Sequence, residues 1–96
     1  MTKQRSSPIA SVWLFHATGA TFASGVFTIK EEGLDWVRKH GVTGTLSEYA
    51  VGDGCYDLAV REGRFAPTKP HHGSASHVGG FSPGLDHVHV TAGEPT

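Results

Sequence analysis

The sequence has no apolar run long enough to span a membrane, a single cysteine, and no excess of either charge. A bilayer-crossing helix needs about 20 mostly apolar residues, and the stretch from Ile9 to Phe15 is the nearest approach. Lys3 and Arg5 ahead of that stretch, and Ala17-Thr18-Gly19-Ala20 behind it, loosely imitate a secretory leader. Ser11 and His16 break the imitation, and the residues between them favour a core β-strand. The lone Cys55 excludes an intrachain disulfide and fits a cytoplasmic location. Eight Lys and Arg against nine Asp and Glu give a formal charge of −1. No basic stripe is available to neutralise phosphates, so neither nucleic acid nor a membrane surface is expected as a partner. Cysteine pairs, an HExxH helix, a nucleophile elbow and internal repeats are also missing.

What is present points to one small domain. Apolar residues make up 38% of the 96, enough for one packed core and too many for a disordered chain. Residues 1–8 read as a disordered N-terminal tail. Ile9 to Ala17 reads as a strand with Val12 and Leu14 on one face, Trp13 and Phe15 on the other. A turn at Thr18–Thr21 leads to a second, antiparallel strand from Phe22 to Phe27.

Thr28 to His40 carries the clearest helical pattern. Ile29, Gly33, Leu34, Trp36, Val37 and His40 recur at three- and four-residue steps, an apolar stripe wide enough to cover a sheet. Thr28 and Glu31 have the spacing of a capping box. Gly33 implies close approach to a strand beneath it, because glycine inside a helix costs about 1 kcal/mol relative to alanine. Gly41 supplies a left-handed stop. Gly44 to Val51 alternates as a third strand, with Thr45, Ser47, Tyr49 and Val51 on one face. Asp53 is placed to cap a short helix from Cys55 to Glu62, packing through Tyr56, Ala59 and Val60.

Residues 9–63 thus read as a ββαβα core. Residues 64–91 read as a Gly/Pro/His-rich arm that wraps the core and ends in a short strand from Asp86 to Thr91, followed by a tail over 92–96. The expected fold class is α+β, a small and mainly antiparallel sheet with one amphipathic helix across a face.

The runs VWLFHATGATFASGVFTIKEEGLDWV, GCYDLAVREGRF and FSPGLDHVHV resemble a small bacterial domain family of unknown function. Its pattern has a strand–strand–helix opening, a Tyr-Asp-Trp-Ala helix start and a His-x-His ending. The chain keeps Tyr56, Asp57 and Ala59 but has Leu58 in place of the tryptophan, and matches the ending at His87 and His89. Cys55 falls outside the pattern. The resemblance spans nearly all of Ser11 to Val90 and implies the fold, but no activity, cofactor or catalytic residue.

Seven histidines, five of them between His71 and His89, are the main chemical signal. His87 and His89 share one face of a strand, with Cα atoms about 7 Å apart. Two imidazoles so spaced can chelate zinc, nickel or copper. His71, His72, His77, Asp86 or His16 would complete such a site, so the candidate metal ligands are His87, His89, His71 and His72. The alternative is that these histidines are exposed or hydrogen-bonded to hold the arm. Adjacent His71 and His72 point apart in an extended segment, which fits a solvated turn. Cys55, near a helix N-terminus that favours a thiolate, is the one candidate nucleophile for a Cys–His hydrolase.

Three functions are therefore in play. The leading one is a non-enzymatic accessory or protein-interaction module, its partner another protein or a second copy of the chain. The second is a divalent-metal-binding protein using the C-terminal histidines, and the third is the hydrolase.

Overall fold

Alternation of side chains along three strands, with one helix laid over them, determines this architecture. The computed structural model describes residues 10–96; the expected tail over residues 1–8, and Ile9, lie outside the described residues. The elements are β1 (Ser11–Ala17), β2 (Gly25–Phe27), α1 (Lys30–His40), β3 (Gly44–Ala50), α2 (Cys55–Arg61), α3 (Ala75–Gly79), β4 (His87–Thr91) and β5 (Glu94–Pro95). All five strands form one sheet in the order β2-β1-β3-β4-β5, with every neighbouring pair antiparallel. The fold is α+β.

Register sets the core. Phe15 lies opposite Leu46, which lies opposite Val88, while Gly44 joins Ala17 to Val90. Phe15, Leu46, Val37 and Val90 are the largest fully buried side chains. Helix α1 supplies Val37, Leu34 and Trp36 to this cluster. The Trp36 ring stands 5.6 Å from Phe15 and 5.5 Å from Phe27. Gly33 makes the close approach its position implied, since a Cβ there would lie 2.8 Å from both methyls of Leu46. The α1 stop is also as expected: Gly41 has φ 65° and its N–H donates to Val37 O at 2.9 Å.

Several local expectations are corrected. The capping box does not form: α1 starts at Lys30, its N-cap Ile29 has an extended backbone, and no side chain caps it. Thr28 Oγ1 instead donates to Glu32 Oε1 at 3.1 Å, which diverts the hydroxyl from the helix end. The second strand is shorter than Phe22–Phe27. Only Gly25 to Phe27 pairs with β1, and Phe22 is 80% exposed. Asp53 does not cap α2, whose N-cap is Gly54; its carboxylate pairs with Arg61 at 3.0 Å. That hydrogen-bonded partner also holds the Asp53 carboxyl below the usual range. The packing face of α2 is Leu58 and Ala59 rather than Val60, which is exposed.

The larger correction concerns the arm. The sheet core is not confined to residues 9–63, because β4 lies beside β3 and contributes Val90. Beyond β4 the chain turns through Ala92 and Gly93, both at positive φ, and returns as β5. Residues 64–85 do not simply wrap the sheet. They join α2 in a small lobe where Tyr56, Phe65 and Phe81 pack ring against ring at centroid distances of 5.2–5.9 Å. The arm also holds regular structure, the five-residue α3, whose N-cap Ser74 Oγ accepts from His77 N–H at 3.2 Å.

Candidate functional site

Because successive strand residues point to opposite faces, the residues between the core positions form a second surface of the sheet. One band runs Val26–Leu14–Ser47–His87 across four strands, and the next runs His16–Thr45–His89. Val12 and Tyr49 form a third, shorter band. None of these residues is Asp, Glu, Lys or Arg. On the α1 side the sheet does meet charge. Lys30 sits over the Trp13 ring and pairs with Asp86 at 3.4 Å, Glu48 accepts from Ser11 Oγ at 2.8 Å, and Arg38 reaches Glu94 at 3.8 Å.

The lobe overhangs part of this uncharged face. Ser82, Pro83, Gly84 and Leu85 stand opposite Thr45, Ser47 and His87 across a groove of about 290 Å³. Arg64 Nη1 donates to Pro83 O at 3.5 Å, which steadies the overhang, and its guanidinium pairs with Glu62 at 2.9 Å.

The histidines separate into two groups. His87 and His89 share the uncharged face, their rings 5.0 Å apart between centroids. His16 lies on the same face, but its Nε2 is occupied by Ala20 O. His71, His72 and His77 sit in the lobe, with ring centroids 4.5, 4.9 and 5.6 Å apart. Thr68 and Lys69 N–H donate to His72 Nδ1 at 3.0 and 3.2 Å, and Gly73 N–H donates to His77 Nδ1 at 3.2 Å. An imidazole accepting at Nδ1 carries its proton on Nε2. In that state neither nitrogen of His72 or His77 has a lone pair free for a metal. Among the described residues, no group of three or more His, Cys, Asp or Glu is arranged to hold a metal ion.

Cys55 does begin α2, as its candidacy required, yet its thiol is pushed up rather than down. Partial burial outweighs the nearby Arg64 and the backbone hydrogen bond that favour the thiolate. Tyr49 beside it is likewise raised, by burial first and then by Cys55. Neither group is primed as a nucleophile or base at neutral pH.

Sequence reasoning missed Phe65 and Phe81 as partners of the arm histidines, since no local period links them. It also missed that His87 and His89 stand opposite Ser47 and Thr45. The alternation of β3 was visible, but the strand order was not.

Among the described residues, no helix is long and apolar enough to cross a membrane. No curated protein and no solved structure matches the chain. A family profile does, over residues 12–96, a stretch that takes in the sheet, α1 and the lobe. The chain belongs to the family described as Domain of unknown function (DUF7710).

Proposed function

We propose that the protein is a non-enzymatic interaction module that associates with a second copy of itself through the α1-free face of its sheet. The observation that carries this reading is the absence of charge from the bands Val26–Leu14–Ser47–His87 and His16–Thr45–His89, in a chain with 17 ionic side chains (8 Lys and Arg plus 9 Asp and Glu). Charge depletion distinguishes the centre of an interface from ordinary surface better than hydrophobicity does. An uncharged face calls for an uncharged counterpart, and a second copy offers one. Two-fold symmetry lets the same patch meet itself, as sheets do when they pack face to face. The raised thiol of Cys55 argues against the hydrolase.

Val26 is 65% exposed at the edge of this face, so its replacement leaves the core intact. Light scattering on the wild type is expected to show a concentration-dependent dimer, and Val26→Lys a monomer, because lysine would bury an unpaired charge. A wild type that stays monomeric to roughly 100 µM rejects the reading.

A second reading, divalent-metal binding, rests on one further observation. The His87 and His89 rings touch each other and hydrogen-bond to no other described residue. Both keep a lone pair for zinc, nickel or copper, whereas His72 does not. Calorimetry with each ion is expected to show binding that His87→Ala/His89→Ala removes and His71→Ala/His72→Ala leaves in place. Equal heats from wild type and the first double variant would end this reading.

A further inference from the structure

The lobe histidines hold their surroundings in a way that depends on one protonation state. His72 Nδ1 receives two backbone N–H groups, from Thr68 and Lys69, and His77 Nδ1 receives a third, from Gly73. A proton on either Nδ1 would point at those donors, turning acceptance into repulsion. The groups facing His72 are two more imidazoles, His71 and His77, and the Phe65 ring at 4.9 Å. From α2, the Tyr56 ring meets His77 at 5.6 Å. Among the described residues no carboxylate pairs with any of the three imidazoles. A positive charge in this cluster therefore has repulsion around it and no counter-ion.

The cluster also anchors the groove. Phe81 packs on His77 at 5.5 Å and on Phe65 at 5.2 Å, and the four residues after it form the wall opposite Thr45, Ser47 and His87. We propose that His72 and His77 form an acid-released clasp that holds residues 82–85 over the uncharged face of the sheet. The clasp regulates the surface assigned above, and its meaning for association rests on that assignment.

The direction of the pH effect follows from His72. Partial burial first, then the neighbouring His71 and His77, hold its pKa below the ordinary value of 6.5. The unfolded lobe thus takes up a proton before the folded one does. Clasp stability is greatest above 6.5 and declines as the pH falls from there toward the depressed folded value.

Hydrogen exchange read as protection factors tests this in the monomeric Val26→Lys chain, where self-association plays no part. Between about pH 7.5 and about pH 5, protection of the Thr68, Lys69 and Gly73 amides is expected to fall at least roughly tenfold, while β1 and β3 amides keep theirs. His72→Asn keeps an acceptor near the Nδ1 position and cannot be protonated there, so the fall at Thr68 and Lys69 is expected to shrink. Unchanged protection at the two pH values in the parent chain would overturn the clasp, whatever the oligomer does. Loss of the clasp in that chain, with wild-type dimerisation by light scattering unchanged between the same two pH values, would overturn only its link to the face.

Discussion

Gly44→Ala is expected to destabilise the domain by about 3 kcal/mol or more, the upper end for overpacking a core. A Cβ at Gly44 would meet the carbonyl oxygen of His16, the Ala17 Cα at 2.7 Å and the Phe15 Cζ at 2.9 Å. The first two are backbone atoms of β1, so no side-chain rotation relieves the contact. The strands would have to part at the Ala17–Gly44 pair, which also carries Val90 on its other side. In a domain of this size the loss corresponds to a fall in Tm on the order of 15 °C. Gly41→Ala is the informative control. Nothing lies within 4 Å of a Cβ there, but its φ of 65° disfavours alanine, so its cost is about 1 kcal/mol. Thermal unfolding followed by tryptophan fluorescence compares the two, and a Gly44→Ala cost no greater than that of Gly41→Ala would contradict the packing described.

The second large effect separates the sheet core from the lobe. Phe15 is fully buried between Trp36 and Leu46, and Phe15→Ala is expected to cost about 3–5 kcal/mol. That loss should appear in one global transition. The ring partners of Phe81 among the described residues are Tyr56, Phe65 and His77, all in the lobe. Phe81→Ala should open the lobe locally, raising amide exchange across residues 65–81 while leaving protection in β1 and β3 near wild type. A Phe81→Ala variant that lowered protection throughout the sheet would show that the lobe and the core are a single cooperative unit.

Which features were legible in the sequence follows from the range over which each signal acts. The Gly33, Leu34, Trp36 and Val37 part of the α1 stripe and the stop at Gly41 are set by residues a few positions apart, and both are found in the structure, whereas Ile29 falls outside the helix and is exposed. The shared face of His87 and His89 is equally local, being a matter of two-residue spacing. The capping box failed because Thr28 and Glu31 match a pattern whose geometry depends on where β2 ends. Ile29 remains extended there, so the helix begins after the motif. The lobe was illegible for a different reason. Tyr56, Phe65, His72, His77 and Phe81 come together only through tertiary folding of a glycine- and proline-rich segment, and no period marks them. The uncharged face required the strand order, which local alternation does not contain; once β3 is placed between β1 and β4, His16, His87 and His89 fall on one surface.

The most direct test of that surface is an NMR dilution series on the wild-type chain, read residue by residue. Concentration-dependent shifts are expected at Val12, Leu14, Val26, Thr45 and Tyr49, with α1 resonances from Glu31 to Lys39 unmoved. Shifts centred on α1, or none at any concentration, would contradict self-association through this face.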